Sequence, residues 1–372
     1  MKKLMIIAGE ASGDLHGAGV VKELKKIDSN LEIFGVGGDL MKASGMELIS
    51  HCEDLSVMGF REVITHLPKI FKIEKILKEE LIKRKPEKIL LIDYPGFNLR
   101  FAKFAKEQGV KVLYYISPQI WAWKSKRIKI IKERVDKMFV VFPFEKKIYE
   151  KENIPFEFVG HPLVEELKIN QTKKDFIKNH NLKSKKILAL LPGSRKQEID
   201  QIFPILLETA RGLKKQIEID VLVAVAPHCK IGIYKKHISK NDDVKFIFNQ
   251  TYEVIKFADA ALVTSGTATL ETALLETPFA LVYKTSWFTY FVGKYFVKIN
   301  NIGLVNIVAG RTIVPEFIQH NLKASRLVSF VKNLLEEKSY SDLMKTELSS
   351  IKELLGSSGA SKKVAEGIVS LN

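Results

Sequence analysis

Short runs of β-forming residues alternate with helical patterns along most of the chain, and this alternation constrains the fold more than any other feature. Strands separated by helical segments indicate βαβ units, in which the strands run parallel and the crossovers are right-handed. A polar, lysine-rich stretch at about residues 160–181 divides the alternation into two sets. The sequence therefore predicts an α/β protein with two doubly wound, Rossmann-like domains, one at 1–164 and one at 165–340.

The predicted strands of the first domain lie at 4–8, 32–36, 88–92, 111–116, 137–141 and 156–159. Those of the second lie at 186–191, 219–225, 244–248, 260–264 and 279–283. Two closing helices, predicted at about 341–355 and 361–371, have no following strand to support. They could pack on the second domain or reach back to the first.

The composition is that of a globular protein. Hydrophobic residues make up 46% of the 372 positions and charged residues 27%, which excludes a disordered or collagen-like chain. The two cysteines, Cys52 and Cys229, are too few for a disulfide framework or a cysteine-rich zinc site. Such cysteine usage is typical of an intracellular protein in a reducing compartment. No apolar run reaches the ~18–20 residues that a spanning helix needs.

A formal net charge of +16 favours anionic partners. Sequence-specific readers of DNA depend on arginine forks, yet only nine of the 59 basic residues are arginine, and no DNA-binding motif is present. We therefore expect no nucleic-acid partner. Lysines spread along the chain fit a solvated surface or attraction to acidic lipid headgroups better.

Chemically distinctive residues follow the predicted strands at their carboxyl ends, where open α/β sheets bind ligands. In the first domain these are GEASGD at 9–14, GVGG at 35–38, DYP at 93–95 and SPQIWAW at 117–123; in the second they are PGSR at 192–195 and SGT at 265–267. The loop at 9–14 lacks both the GxGxxG spacing and the GK[ST] of a P-loop. A ligand-binding loop and a tight strand-to-helix turn explain it equally well.

Asp93 is the leading candidate for a general base, because it directly follows the apolar run at 89–92. A turn or helix-cap role is the alternative, since Pro95 and Gly96 follow. His16 and His161 are rival bases and rank lower, because a lone histidine is more often structural. No DxD pair and no cluster with metal-ligand spacing occurs, so we disfavour a metal-dependent mechanism and expect no cofactor.

The second domain offers groups suited to a diphosphate. Arg195 follows a Gly-Ser turn, and a guanidinium fork matches phosphate oxygens; an ion pair with Glu198 is the alternative. Ser265, Gly266 and Thr267 precede a helix, where hydroxyl and backbone N–H groups can bind phosphate. Glu271, one turn further on, could accept hydrogen bonds from ribose hydroxyls. An ordinary capped helix would explain the same pattern.

Two apolar segments carry interleaved lysines and suit a membrane interface. The first contains Val57, Met58, Phe60, Val63, Ile64 and Leu67, and the second is the aromatic stretch at 287–296. A core helix or a homodimer interface is the alternative for both.

Eight strings, in order along nearly the whole chain, resemble the lipid-A-disaccharide synthase family. They are AGEASGDL at 8–15, IDYPGFN at 92–98, YISPQIWAW at 115–123, FPFE at 142–145, VGHP at 159–162, LLPGSR at 190–195, SGTATLE at 265–271 and NIVAGR at 306–311. Each string alone is weak evidence, but the tryptophan-containing string and the complete series are specific.

The resemblance implies a GT-B glycosyltransferase, with two Rossmann-like domains facing across a cleft. The family joins UDP-2,3-diacylglucosamine to 2,3-diacylglucosamine 1-phosphate, giving the β-1,6-linked lipid A disaccharide 1-phosphate and UDP. It works in lipopolysaccharide synthesis in Gram-negative bacteria, as a peripheral protein on the cytoplasmic face of the inner membrane. The first domain would take the acceptor and dock on the anionic membrane, and the second would bind the UDP-sugar.

The resemblance also assigns residue roles. Asp93 is the family's proposed catalytic residue, and Arg195 and Asn306 match residues that are important for donor binding or activity. The full set expected to bind the UDP-sugar is Gly193, Ser194, Arg195, Ser265, Gly266, Thr267, Glu271 and Asn306. The set expected around the acceptor is Glu10, Ser12, Gly13, Asp14, Asn98 and Trp121. Position 94 is often small in the family and is tyrosine here, which bears on acceptor fit.

Three other functions are compatible with parts of this pattern. A UDP-N-acetylglucosamine 2-epimerase shares the two-domain architecture but needs no apolar docking surface. The peptidoglycan N-acetylglucosaminyltransferase also uses a lipid acceptor, and product analysis separates it. A non-enzymatic basic membrane protein would bind no nucleotide.

Overall fold

The computed structural model describes residues 1–55, 60–120, 127–226, 229–240, 242–285 and 301–371, without the side chains of 60–66. The chain forms two compact units. The first comprises Met1–Glu165 and Gly356–Asn372, and the second comprises Glu166–Leu355. Each unit has its own parallel sheet, which confirms the predicted fold class of two Rossmann-like domains.

The first unit contains a seven-stranded parallel sheet of order β3-β2-β1-β4-β5-β6-β7. Its strands are β1 (Lys3–Ala8), β2 (Glu32–Gly37), β3 (Glu47–His51), β4 (Lys88–Ile92), β5 (Lys111–Tyr115), β6 (Lys137–Val140) and β7 (Phe156–Phe158). Its helices are α1 (Ala11–Ile27), α2 (Asp39–Ala43), α3 (Phe60–Arg84), α4 (Pro95–Glu107), α5 (Arg127–Arg134), α6 (Glu145–Lys151), α7 (Leu163–Glu166, at the boundary) and the closing α16 (Ala360–Ser370).

The second unit contains a six-stranded sheet of order β10-β9-β8-β11-β12-β13, also parallel. Its strands are β8 (Ile187–Leu191), β9 (Asp220–Val225), β10 (Lys245–Phe248), β11 (Ala260–Thr264), β12 (Phe279–Tyr283) and β13 (Glu316–Ile318). Its helices are α8 (Lys173–Asn179), α9 (Lys196–Lys214), α10 (Gly232–Lys235), α11 (Thr251–Phe257), α12 (Ala268–Leu274), α13 (Leu304–Ala309), α14 (Ala324–Glu336) and α15 (Lys338–Leu354).

Each sheet reverses its strand order once, between β1 and β4 in the first unit and between β8 and β11 in the second. The central strands are continuous apolar runs because helices cover both faces; every residue of β4, β8 and β11 is buried. Loops on either side of a reversal diverge and leave a crevice at the carboxyl ends of the strands. The predicted functional loops after β1, β4, β8 and β11 therefore flank the two switch points.

The two closing helices belong to different units. Helix α15 lies in the second unit, whereas α16 packs on α1 of the first. The Glu165 carboxylate accepts hydrogen bonds from Gly359 N (2.6 Å) and Ser361 N (3.1 Å) at the start of α16. At its end, Lys88 Nζ donates to Ile368 O (2.6 Å). Because helix termini leave backbone groups without intrahelical partners, these contacts attach α16 to the first sheet.

Two strands were absent from the sequence prediction, β3 and β13. Both are edge strands in which no residue is fully buried, so neither has the apolar run that marks a central strand. No helix in the part of the chain that the structure describes is long and apolar enough to cross a membrane.

Candidate functional site

The turn after β4 holds Asp93 and Tyr94 in the left-handed conformation, each with φ of 45°. This conformation is unfavourable for residues other than glycine and costs on the order of 1–3 kcal/mol each. Two side chains hold the turn: Asn98 Nδ2 and Tyr114 Oη both donate to Asp93 O, at 2.7 and 2.5 Å. Strand β5 adds a bond from Asp93 N to Tyr115 O (2.9 Å). Strain retained under this much support is characteristic of functional sites.

The environment of Asp93 makes its carboxylate more basic than usual. Burial, with a smaller contribution from the nearby Glu10 carboxylate, raises the pKa of Asp93 to about 6 against the opposing effects of Tyr94 N and His16. A carboxylate with this pKa is largely ionised at neutral pH yet binds a proton more tightly than an ordinary aspartate. These are the properties of a general base.

His161 is a weaker candidate for the base. Its side chain is 7% exposed, and Leu163 N donates to its Nδ1 (3.2 Å), which occupies one ring nitrogen. Burial, with a smaller contribution from His16, lowers the pKa of His161 to about 3. An imidazole held neutral in this way has little affinity for a proton at neutral pH. His16 lies beside it, with ring centroids 6.5 Å apart, and remains the rival to Asp93.

The segment at 9–14, which the structure places largely in the first turn of α1, divides into a structural part and an accessible part. Asp14 is buried, and its carboxylate accepts hydrogen bonds from Gly38 N (2.7 Å), Leu40 N (3.2 Å) and Met41 N (3.0 Å), which caps α2. Gly13 is also buried, whereas Glu10 and Ser12 are exposed. The geometry thus gives Asp14 a structural task and leaves Glu10 and Ser12 available to a ligand.

The Tyr94 ring packs directly against the backbone of Gly9. A Cβ at Gly9 would lie 2.3 Å from the Tyr94 ring, so only glycine allows this approach. The Tyr94 hydroxyl donates to Leu55 O (2.6 Å), and burial raises the pKa of the phenol. The large side chain is therefore accommodated against the first loop.

A second buried acid, Glu145, was not singled out by the sequence analysis. It is 1% exposed, and its Oε2 accepts hydrogen bonds from Val141 N (3.2 Å) and Phe142 N (3.0 Å). Burial raises the pKa of Glu145 to about 7. The signal in the sequence was an acidic residue at the end of the apolar run that continues past β6, in the FPFE string.

In the second unit, a cavity of about 340 Å³ collects the predicted donor residues. Its lining includes Gly193, Ser194, Arg195, Ser265, Gly266, Thr267 and Glu271. Glu271 comes from α12, and the others come from the loops after β8 and β11, on either side of the switch point. A larger cavity of about 590 Å³ lies near the amino ends of β11 and β12 and contains none of the predicted site residues.

Arg195 stands at the start of α9 in contact with Glu198, as the alternative interpretation anticipated. Its side chain is 72% exposed, and its Nη1 lies 3.1 Å from Glu198 Oε1. The other oxygen, Oε2, accepts from Ser194 N and Arg195 N, both at 3.3 Å. Gly193 has a φ of +107°, and a Cβ there would lie 2.7 Å from Glu198 Oε2. Glu198 therefore shapes the turn and pairs with the exposed guanidinium, so binding of an anion by Arg195 would compete with this ion pair.

Asn306 is buried and does not line the cavity. Its Oδ1 accepts from Ile313 N (2.9 Å) and Val314 N (3.0 Å), and its Nδ2 donates to Val314 O and Glu316 Oε1, both at 2.8 Å. The hydrogen-bonding capacity of the amide is used within the protein. Asn306 thus contributes to the framework of the second unit, and its contact with the UDP-sugar stays a prediction.

Several predicted residues fall outside the described part of the chain. They are Val57, Met58, Trp121, the side chains of Phe60, Val63 and Ile64, and the aromatic segment at 287–296. Leu67 is described and is 37% exposed on α3. Across the described ranges, no group of three His, Cys, Asp or Glu side chains is placed to hold a metal ion.

The chain resembles curated proteins over nearly its full length. It is 39% identical over 370 residues to the lipid-A-disaccharide synthase of Geobacter sulfurreducens, covering 99% of this chain and 96% of the relative. It is 42% identical over 365 residues to lipid-A-disaccharide synthase 1 of Legionella pneumophila, covering 96% and 94%.

Solved structures with a similar fold are more distant in sequence. The UDP-GlcNAc 2-epimerase of Neisseria meningitidis, bound to UDP-GlcNAc, superposes with a TM-score of 0.70 at 15% identity, covering 99% of this chain and 100% of that one. A calicheamicin glycosyltransferase superposes with a TM-score of 0.62 at 14% identity, covering 99% and 97%. At such identities the likeness shows the fold alone. The family profile described as lipid-A-disaccharide synthetase matches residues 4–367, so the chain belongs to the lipid-A-disaccharide synthetase family.

Proposed function

We propose that this protein transfers the glucosaminyl residue of UDP-2,3-diacylglucosamine to the 6-hydroxyl of 2,3-diacylglucosamine 1-phosphate. The products are the β-1,6-linked lipid A disaccharide 1-phosphate and UDP. The observation that carries the proposal is the family match over residues 4–367, with relatives about 40% identical from end to end. The epimerase alternative has only the fold in its favour.

In the proposed reaction, the acceptor 6-oxygen attacks the anomeric carbon of the donor. The bond from that carbon to the UDP oxygen breaks, UDP leaves with the bonding electrons, and Asp93 takes the hydroxyl proton. The linkage changes from α to β, so a single displacement suffices and no covalent sugar–enzyme intermediate is needed. A positioned base of this kind contributes about 10²–10⁴-fold to the rate.

The second unit would bind the leaving nucleotide. Negative charge grows on the departing diphosphate, so fixed positive groups at that position lower the barrier. The exposed Arg195 guanidinium and the N–H and hydroxyl groups of Ser265–Thr267 supply them within one cavity. Glu271 lines the same cavity and could accept from ribose hydroxyls.

The acceptor would lie against the first unit, near Asp93. Glu10 and Ser12, at the start of α1, are exposed polar residues. Leu15 and Leu40, 37% and 48% exposed, flank the Asp14 cap and offer apolar surface for acyl chains.

Because both substrates carry acyl chains, the protein would dock peripherally on the anionic cytoplasmic face of the inner membrane. On α3, Leu67 and Phe71 are 37% and 53% exposed, and Lys69 and Lys72 are exposed beside them. Apolar side chains enter the interface while neighbouring lysines meet acidic headgroups. The net charge of +16 adds long-range attraction to such a surface.

Product analysis tests the reaction. Purified protein is incubated with UDP-2,3-diacylglucosamine and 2,3-diacylglucosamine 1-phosphate, and the lipids are analysed by mass spectrometry. We expect a new species with the mass of the disaccharide 1-phosphate and release of one UDP per disaccharide. An isomerised UDP-sugar of unchanged mass would support an epimerase, and transfer only to another lipid would reassign the acceptor.

Vesicle sedimentation tests the docking surface. Phe71→Ser combined with Leu67→Ser should lower binding to vesicles containing anionic lipid by about 30-fold, since each change removes on the order of 1 kcal/mol of apolar burial and the two together about 2 kcal/mol. Phe248→Ser is the matched control, because Phe248 is 49% exposed but lies in the second unit. Equal binding by the double variant and the control would place the docking surface elsewhere.

A further inference from the structure

The carboxylate of Glu316 lies at the centre of a hydrogen-bonded frame in the second unit, and neither the fold nor the proposed chemistry gives it a role. Its Oε2 accepts from Ile302 N (3.0 Å). Its Oε1 accepts from Gly303 N (3.0 Å) and from Asn306 Nδ2 (2.8 Å). Both oxygens therefore receive hydrogen bonds from the segment that leads into α13.

Asn306 orients this frame. Two backbone N–H groups donate to its Oδ1, which fixes the direction of the amide and points Nδ2 toward Glu316. Both terminal atoms of the side chain at position 316 must therefore be hydrogen-bond acceptors, as the two carboxylate oxygens of glutamate are. A glutamine there would turn its NH₂ group toward an N–H donor in either orientation, leaving donors without an acceptor.

The frame ends at the loop that lines the donor cavity. Ser265 Oγ donates to Ile302 O (3.4 Å), and Ser265 N bonds to Val282 O of β12 (3.2 Å). Ile302 thus contacts Glu316 through its N–H and Ser265 through its carbonyl. Neither Ile302 nor Glu316 lines the cavity itself. A movement of residue 302 would nevertheless change the position of the Ser265 hydroxyl.

We propose that Glu316, oriented by Asn306, is a positioning residue for the nucleotide-binding loop at 265–267. The proposal deepens the proposed function, because it rests on the assignment of that loop to the UDP group of the donor. It also gives Asn306 a task that fits its burial, which is to hold Glu316 rather than to touch the donor.

The experiment compares Glu316→Gln with Asp220→Ala by calorimetric titration with UDP. Asp220 is a matched control, because its Oδ2 also accepts from two backbone N–H groups, Lys183 N and Ser184 N at 2.7 Å, but it starts β9 at the opposite end of the strands. Both variants should melt earlier than the wild type. Only Glu316→Gln should weaken UDP binding, by about tenfold, within the ~5–150-fold typical of coupling between two sites.

Steady-state kinetics add a readout that lost stability alone would not change. In Glu316→Gln, KM for the UDP-sugar should rise with the dissociation constant of UDP, while KM for the acceptor stays at the wild-type value. Wild-type affinity for UDP in Glu316→Gln would overturn the inference, and so would an equal loss of affinity in both variants. Failure of the wild type to bind UDP would instead remove the donor site of the proposed function, and the inference with it.

A measurement on the wild type covers the case in which Glu316→Gln does not fold. Coupling is reciprocal, so if the frame supports UDP binding, then bound UDP must stabilise the frame. Hydrogen–deuterium exchange should slow on adding UDP in peptides spanning both 261–274 and 301–306. Slower exchange at 261–274 alone would overturn the inference while leaving the donor site intact.

Discussion

The carboxyl ends of the two sheets look alike in topology but differ in environment. After β4, the half-buried Asp93 sits in a strained turn, and desolvation raises its pKa. Glu145, at the start of α6 after β6, is fully buried, and its pKa is raised as well. After β8 and β11, Arg195 is 72% exposed and Gly266 and Thr267 are exposed around an open cavity. The contrast fits the two proposed tasks: a base gains proton affinity from desolvation, whereas a nucleotide site needs accessible positive groups.

The largest effect is expected at Asp93, at the carboxyl end of the first sheet. Asp93→Asn keeps the shape and tolerates the left-handed backbone, but it cannot accept the proton, so kcat should fall about 10²–10⁴-fold with little change in KM. Steady-state assays check this. Near-wild-type turnover would exclude Asp93 as the base, and loss of activity in His16→Asn instead would transfer the role to His16.

The same substitution should stabilise the protein. The pKa of Asp93 is raised in the folded state, so its contribution to stability is complete below about pH 4 and is lost as the pH rises through about 6. At about pH 8 the ionised carboxylate costs on the order of 1–3 kcal/mol, which asparagine avoids. Thermal melts should show a higher Tm for Asp93→Asn at pH 8 and a smaller difference at pH 5. A lower Tm for Asp93→Asn at both pH values would contradict the raised pKa of Asp93.

Substitutions at the cavity of the second unit should change the reaction through binding of the UDP-sugar. Arg195→Ala should lower kcat/KM for the UDP-sugar about 10²-fold, because it removes a cation from the leaving diphosphate. Arg195→Lys should recover only part of this, since an ammonium lacks the planar fork. Lys196→Ala is the control: Lys196 is the next residue, and its ammonium pairs with Asp200 at 2.7 Å. An equal loss in both alanine variants would mean that general charge, rather than Arg195, attracts the donor.

A smaller effect is expected when the charge of Glu10, close to Asp93, is removed. The acid limb of the kcat/KM profile should lie near pH 6 and activity should rise above it, because Asp93 acts when ionised. Removing the Glu10 charge favours ionisation of Asp93, so Glu10→Gln should shift this limb to lower pH by less than about one unit. Glu107→Gln, at the end of α4, should leave the limb unchanged. A shift to higher pH in Glu10→Gln would rule out the assigned electrostatics.

The smallest effect concerns stability alone. Burial raises the pKa of Glu145 to about 7, so the stability it contributes is present below about pH 4.5 and is lost as the pH rises through about 7. Glu145→Gln removes this titration, and its Tm should exceed that of the wild type at about pH 8.5 by a few degrees. Differential scanning calorimetry at pH 5 and pH 8.5 checks the sign. A Tm difference that does not grow with pH would show that Glu145 stays protonated throughout.

Much of the candidate site could be predicted because it lies in loops directly after apolar strands. Asp93, Arg195 and Ser265 all follow runs that are recognisable from five consecutive hydrophobic or small residues, and topology then places them at switch points. Asp14 and Asn306 occur in the same kinds of string, but the structure engages both side chains in backbone hydrogen bonds. Residue type and position along the chain do not distinguish a side chain that binds a ligand from one that holds a loop.

The alternation of strands and helices, the division into two doubly wound domains and the family were all determined by the sequence, since hydrophobic period and short motifs are local properties. Tertiary structure alone decided the left-handed turn at Asp93, the capping of α16 by Glu165 and the frame around Glu316. Each of these joins residues that are distant in sequence or depends on burial from several elements at once. Strand β13, which carries Glu316, illustrates the reason: a three-residue edge strand has no pattern of its own and forms only because β12 offers it hydrogen bonds.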